Sequence, residues 1–253
     1  AIVRHRPDVI LGLGGYVSFP GGMMARLSGR PLVLHEQNSV AGLANRVLAV
    51  VASTVLSAFP GALRRARVVG NPVRREILAS PPPQVRYQSR NGPLRLLVVG
   101  GSLGAKPIND VLPRAIALLP AGSRPVITHQ AGAMHVDDLR SLYLETGVTA
   151  DTVAFIDDMA SAYLDADVVV CRSGALTVSE LSAAGVASVL VPYPFAVDDH
   201  QTGNARYLAD EGAAVLLPQR DLTPERLASV ISGFTRDALA SMATKARALA
   251  RPQ

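Results

Sequence analysis

Short apolar runs bounded by Gly, Pro or Asn alternate along this chain with longer stretches whose apolar residues recur at helical spacing. In the first third the runs fall at 8–13, 31–35, 54–58 and 67–69, with helical stretches near 21–27 and 40–51. Residues 79–93 carry four prolines and no periodicity, which reads as a linker. The pattern then restarts. Strands are predicted at 94–99, 125–129, 153–156, 168–171, 188–191 and 213–217, and helices at 108–119, 136–146, 159–164, 176–184, 201–210 and 224–234. Strands that alternate with helices make βαβ units and parallel sheets. The expected architecture is α/β, with two doubly wound, Rossmann-like lobes over 1–78 and 94–234 facing each other across a cleft. A basic amphipathic helix over 235–253 follows. The first lobe shows only three or four strands and the chain opens on Ala1, not Met. We expect a longer protein whose leading βα units and closing helix lie outside this sequence.

Composition narrows the chemistry. Of 253 residues, 49% are hydrophobic and 18% charged, the balance of a chain that buries a large core. The net charge is +5, and Lys106 and Lys245 are the only lysines, so the cations are almost all Arg. That suits phosphates or an acidic membrane face, although Arg-rich usage also follows from genome base composition. With 4% aromatics and no basic run interleaved with them, the sequence argues against nucleic acid. Cys171 is the single cysteine, at the end of an apparent core strand, and points to a structural thiol. No apolar run approaches the ~20 residues of a membrane span and no signal peptide is evident, so the expectation is a cytosolic or peripheral protein.

The densest signal is VVVCRSGALTVSEL, residues 168–181. A β-branched strand breaks at Arg172-Ser173-Gly174 and re-emerges as a helix, whose first N–H groups (Ala175, Leu176, Thr177) face the carboxyl edge of a sheet. Such a helix end attracts phosphate, and Glu180 in the second turn is placed to accept hydrogen bonds from a ribose diol. Two glycine-rich loops follow strands, one in each lobe: Gly100, Gly101 and Gly104 in LRLLVVGGSLGA, and five glycines across ILGLGGYVSFPGG. Neither has the dinucleotide spacing; each is a phosphate loop or a tight turn. His35-Glu36-Gln37-Asn38 stands at a strand's carboxyl end, where ligand contacts are made, or caps the next helix. Asn71-Pro72-Val73-Arg74 offers a guanidinium to a diphosphate. Gln201 and Asn204 share a helix face and offer amides to sugar hydroxyls, or open a capped helix. Asp157-Asp158 and Asp198-Asp199-His200 read as helix caps; no metal site is expected. A nucleophile elbow and a Walker lysine are both missing, so hydrolase and kinase readings have no support.

Taken together, GLGGYVSFPGG, LHEQNSVAGLANR, VVGNPVR, VVGGSLGA, FIDDM, CRSGALTVSELSAAG and DDHQTGNA resemble, in order and over nearly the whole chain, the MurG family of peptidoglycan N-acetylglucosaminyltransferases. These are two-lobed GT-B enzymes of glycosyltransferase family 28. The resemblance implies transfer of N-acetylglucosamine from UDP-N-acetylglucosamine to the C4 hydroxyl of the muramoyl sugar of lipid I, with inversion, giving lipid II. It implies no cofactor and no metal, and it implies the cytoplasmic face of a bacterial membrane and other cell-wall enzymes as partners. By position, Ile156 meets the uracil through its backbone and Glu180 holds the ribose. The helix start from Ala175, Leu176 and Thr177 through Val178 and Ser179, with Arg74 and Ser102, takes the diphosphate. Gln201 and Asn38 contact the donor sugar. Gly14, Gly15 and Tyr16 receive the acceptor pyrophosphate, and Glu36 is the candidate catalytic residue. The family also opens with a GGTGGH-type loop whose His is a candidate base. Nothing like it occurs here, so this chain alone is expected to keep the donor half-site with little or no activity. Met23, Met24 and Leu27, with Arg26 and Arg30 nearby, form an apolar face suited to an anionic bilayer or to packing on further lobe strands. Competing readings are a related glycolipid synthase, a UDP-sugar epimerase on the same fold, or an inactive nucleotide-binding module.

Overall fold

The apolar runs fold into two parallel sheets in the computed structural model, which describes residues 2–101 and 104–251. The first lobe opens with a short helix α1 (Ile2–His5) and then carries β1 (Ile10–Gly12), α2 (Ser18–Leu27), β2 (Leu32–Glu36), α3 (Leu43–Leu48), β3 (Thr54–Ser57) and β4 (Arg67–Val68). Its four strands pair in sequence order. Ala25, Leu32, Leu34 and Leu48 form its small core.

The second lobe carries β5 (Arg95–Val99), β6 (Val126–Gln130), β7 (Asp151–Val153), β8 (Val168–Cys171), β9 (Ala187–Leu190) and β10 (Ala214–Leu216). Their order across the sheet is β10-β9-β8-β5-β6-β7. This is the doubly wound order, which reverses direction between β5 and β8; ligands bind in the crevice at the carboxyl ends of those two strands. Both faces are covered, which explains the unbroken apolar runs. Along β8, Val168 and Val170 enter the core on one side, and Val169 and Cys171 enter the core on the other. The second core also takes Ala58, Phe59 and Ile77, so the two lobes share apolar packing. Burial pushes the Cys171 thiol up to about 12, which keeps it protonated and inert.

Two expectations are corrected. The 79–93 segment is no open linker. Its prolines start a helix, α5 (Pro83–Gln88), with Pro83 at a first-turn position that lacks a hydrogen-bond partner anyway. Before it, α4 (Arg75–Leu78) leads out of the first lobe. From α5, Arg86 donates to the carbonyls of Ala184 and Gly185, Tyr87 donates to the Asp167 carbonyl, and Arg90 next to it pairs with the buried Asp167 carboxylate. The expected strand at 153–156 ends at Val153; Ala154, Phe155 and Ile156 leave the sheet, with the Phe155 ring exposed.

The helices of the second lobe follow the predicted amphipathic stretches: α6 (Lys106–Ala117), α7 (Val136–Glu145), α8 (Met159–Asp165), α9 (Ala175–Ala184), α10 (His200–Ala209) and α11 (Pro224–Ser232). The last helix, α12 (Arg236–Ala248), is capped by the Thr235 side chain and packs on α5 and α9. Between α6 and α7, His129 is fully buried. Asn109 spends its amide N–H on the Ala131 carbonyl, so its Oδ1 accepts from His129 Nε2 at 3.1 Å, and His129 Nδ1 accepts the Tyr143 hydroxyl at 3.0 Å. Burial pushes this imidazole down to about 3. The unfolded chain therefore binds more protons than the native one between about pH 6.5 and 3, and stability falls as the pH drops through that window. The expected loss at about pH 5.5 relative to neutral pH is about 1.4 kcal/mol. Urea titrations at both pH values check this: His129→Gln removes the difference, and an unchanged difference refutes the assignment.

Candidate functional site

The crevice at the sheet's reversal point is built from the turn after β8. Gly174 opens α9 with extended backbone, and no side chain caps the helix. Among the described residues, the N–H groups of Ala175, Leu176 and Thr177 have no acceptor, while that of Val178 already bonds Gly174. Three aligned donors and the positive helix end are an arrangement that attracts anions. The Val178 side chain lies in the core, and the Ser179 hydroxyl bonds the Ala175 carbonyl and Asn71. Of the helix-start residues expected at the ligand, these two serve packing and lobe contact instead.

Glu180 lies one turn further on. Its Oε1 accepts two hydrogen bonds from Arg74, at 2.9 Å from Nη2 and 3.2 Å from Nε, and its Oε2 accepts the buried Tyr163 hydroxyl at 3.3 Å. Arg74 belongs to the segment leaving the first lobe, so it reaches the carboxylate expected to grip a ribose, not the helix end expected to take a diphosphate. The Arg74 side chain is half exposed and Glu180 is 16% exposed, so the pair lies open to the cleft on the Arg side.

On the other flank, the glycine loop after β5 turns tightly. A Cβ on Gly104 would lie 2.2 Å from the Ala131 carbonyl oxygen, so only glycine fits there. The Gln130 side chain takes both backbone groups of Gly101. Packing therefore explains Gly104 and left-handed backbone explains Gly101, and Ser102, the expected phosphate contact, lies outside the described residues. Ile156 stands in the loop after β7, half buried, with no hydrogen bond on its backbone groups among the described residues. Asp158 caps α8: its carboxylate accepts from the Ser161 N–H at 3.0 Å and from the Ser161 hydroxyl at 2.6 Å. Those hydrogen bonds hold it below the usual carboxylate range.

The first lobe closes the site through the HEQN segment. The Glu36 carboxylate is 3% exposed. It accepts from Asn38 N (3.0 Å), Asn38 Nδ2 (3.4 Å), Gly42 N (3.3 Å) and Asn45 Nδ2 (2.8 Å). Asn38 Oδ1 in turn accepts Asn204 Nδ2 at 3.3 Å, so both ends of the Asn38 amide are engaged. Asn204, 0% exposed, also donates to the Ser173 carbonyl and accepts the Ser39 N–H at 2.8 Å. A Cβ on Gly203 would lie 2.4 Å from Ser39 Oγ, so the lobes meet closely here. Asn71 makes a second bridge, donating to the carbonyls of Gln37 and Ala175 and to Ser179 Oγ. Asn45 and Asn71, and the bridging role of Asn204, escaped the sequence reading; a signal existed in the placement of each Asn just past a strand or at a helix start. Gln201 bonds the Tyr193 N–H through Oε1, and its carbonyl accepts the Ser173 hydroxyl. Its amide N–H groups have no partner among the described residues. In the other glycine loop, Gly14 and Gly15 both have left-handed backbone and Tyr16 is 88% exposed.

Two family profiles match this chain: the glycosyltransferase family 28 C-terminal domain over residues 95–252 and the family's N-terminal domain over residues 1–57. A UDP-N-acetylglucosamine--N-acetylmuramyl-(pentapeptide) pyrophosphoryl-undecaprenol N-acetylglucosamine transferase of Aromatoleum aromaticum is 64% identical over 250 residues, covering 99% of this chain and 70% of that protein. The enzyme of the same name from Cupriavidus metallidurans is 61% identical over 253 residues, covering 100% of this chain and 71% of that protein. The crystal structure of Acinetobacter baumannii MurG superposes with a TM-score of 0.92 at 44% identity, covering 99% of this chain and 72% of that one. The fold is GT-B, and this chain belongs to glycosyltransferase family 28, among its MurG enzymes.

Proposed function

We propose that this chain carries the donor half-site of an enzyme that transfers N-acetylglucosamine from UDP-N-acetylglucosamine to lipid I, giving lipid II with inversion at the sugar carbon. The relatives' shared name supports the reaction, and one observation of this chain carries the donor assignment. Three N–H groups without an acceptor among the described residues open α9 at the reversal point of a doubly wound sheet, one turn from a carboxylate. The leaving group is a nucleoside diphosphate that gains charge as the glycosidic bond breaks. A fixed helix end stabilises that charge by about 0.3–2 kcal/mol, and an Arg moving in from Glu180 adds a charge-assisted hydrogen bond. On this reading Glu180 exchanges Arg74 for the ribose hydroxyls, the Ile156 backbone meets the base, and the Gln201 amide meets the donor sugar. Gly14, Gly15 and Tyr16 face the acceptor.

The acceptor's lipid implies a membrane surface. No helix among the described residues is long and apolar enough to cross a membrane. On α2, Met23 packs on the first-lobe core, whereas Met24 and Leu27 are exposed beside Arg26 and Arg30. We assign this face to the anionic cytoplasmic leaflet.

Calorimetric titration tests the donor assignment. UDP-N-acetylglucosamine is expected to bind about tenfold more tightly than UDP-glucose, the worth of roughly one well-made amide hydrogen bond. Equal affinity for the two donors counts against acetamido recognition, and no binding of either sinks the reading. A mannosamine product released without acceptor would favour the epimerase alternative.

A further inference from the structure

A carboxylate that removes a proton from an incoming hydroxyl needs a free lone pair and a path to the substrate. Glu36 has neither. Its two oxygens take four hydrogen bonds from Asn38, Gly42 and Asn45, which saturates a carboxylate, and it is buried. The partners on either side reach in opposite directions. Asn45, itself 1% exposed, sits against Gly14: a Cβ there would lie 3.2 Å from Asn45 Nδ2. Asn38 holds Asn204, which holds the Ser173 carbonyl two residues before α9. A continuous chain therefore runs Gly14, Asn45, Glu36, Asn38, Asn204, Ser173, from the first-lobe glycine loop to the start of the anion-binding helix.

We propose that Glu36 is a positioning residue: its carboxylate sets the register between the Gly14–Gly15 loop and the Ser173–Ala175 turn, and it takes no proton during transfer. All four of its partners are amides, and among the described residues no cation pairs with it. This inference rests on the transferase reading. A displacement of about 1 Å between reacting groups costs roughly a hundredfold in rate, and loss of a general base costs a similar amount, so the size of the defect alone does not separate the roles.

Three readouts do. In Glu36→Gln one face of the new amide points an N–H at Asn45 Nδ2 and Gly42 N. Assayed in the full-length protein, the expected result is a kcat for lipid II formation lowered about a hundredfold, with the donor Kd within about threefold of wild type and the acidic limb of the pH–rate profile unmoved. Adding Asn45→Asp restores a donor–acceptor pair between positions 36 and 45 and is expected to recover at least about tenfold of the lost rate. A general base predicts the reverse: the acidic limb disappears and the second substitution rescues nothing, since position 36 still lacks a carboxylate. Either result overturns the proposal. If Glu36→Gln fails to fold, the double variant decides alone, active supporting the proposal and folded but inactive overturning it. On the wild-type chain, slow exchange of the Asn38 and Gly42 amide hydrogens is expected to persist with donor and a soluble lipid I analogue bound; loss of that protection overturns the proposal. Failure of the wild-type chain to bind UDP-N-acetylglucosamine marks a failure of the transferase reading instead.

Discussion

Glu180→Ala is expected to lower the affinity of this chain for UDP-N-acetylglucosamine about a hundredfold in a calorimetric titration. Hydrogen bonds to a charged group contribute about 1.5–3 kcal/mol, which is roughly a ten- to 150-fold change in Kd. The carboxylate is already oriented before any ligand arrives, because Tyr163 holds one oxygen and Arg74 the other. Preorganisation of this kind keeps more of the interaction energy for binding. The Arg74 contact works the other way, since the donor must displace it. The pair is half exposed on the Arg74 side, however, and such pairs are worth about 0–1 kcal/mol, so the displacement is a minor subtraction. The loss should belong to the ribose alone. A 2′,3′-dideoxy nucleotide is expected to bind wild type more weakly and to lose little further affinity in Glu180→Ala. Undiminished affinity of the folded variant for the ribonucleotide would remove the basis for the whole donor assignment.

That prediction was readable from the chain because strand–turn–helix patterns are local. The run VVVC, the break at Arg172-Ser173-Gly174 and the helical stretch after it lie where the structure has β8 and α9. Glycine and proline needed tertiary context. The prolines at 81–83 suggest an open linker, yet Pro83 sits comfortably in the first turn of a helix that docks under the second lobe. Gly104 suggests a phosphate loop, yet the Ala131 carbonyl behind it is sufficient reason for its missing Cβ. The run Ala154-Phe155-Ile156 has strand composition, but its partner strand β6 ends at Gln130, opposite Val153, and the chain leaves the sheet there.

The site shows the same division. Free backbone donors followed from element boundaries: among the described residues the N–H groups of Ala175, Leu176 and Thr177 have no acceptor. Side-chain roles did not follow, because they depend on what the other lobe brings across. Arg74 lies on Glu180, Ser179 on Asn71, and Asn38 between Glu36 and Asn204. These are contacts between residues more than a hundred positions apart in most cases, and no spacing rule reports them. The HEQN segment, placed by position at the ligand, spends its polar groups on the junction. His35 Nε2 bonds the Gly70 carbonyl, Glu36 braces the loop, the Gln37 carbonyl takes Asn71, and Asn38 takes Asn204.

Asn204→Leu tests whether that junction is a main support of the fold. The substitution keeps the branched heavy-atom framework and removes every polar atom of the side chain. The Ser39 N–H, the Ser173 carbonyl and Asn38 Oδ1 then lose the partners they have at 2.8, 3.1 and 3.3 Å. Each buried group left unsatisfied costs about 1–3 kcal/mol, so the sum lies near 3–9 kcal/mol unless the lobes part and admit water. Parting is itself expensive, because Ala58, Phe59 and Ile77 of the first lobe and its exit segment pack into the second lobe's core. The expected outcome by scanning calorimetry is a midpoint at least about 6 °C below wild type. Donor affinity is expected to fall as well, since Ser173 precedes the helix whose N–H groups we assign to the diphosphate. Gly203→Ala provides an independent wedge at the same contact, its new methyl directed at Ser39 Oγ. Because both changes act on one interface, their effects on stability should combine to less than their sum. Strict additivity would mean that the two residues act separately, and a midpoint unchanged in Asn204→Leu would mean that the lobes are held together by the shared apolar core without this bridge.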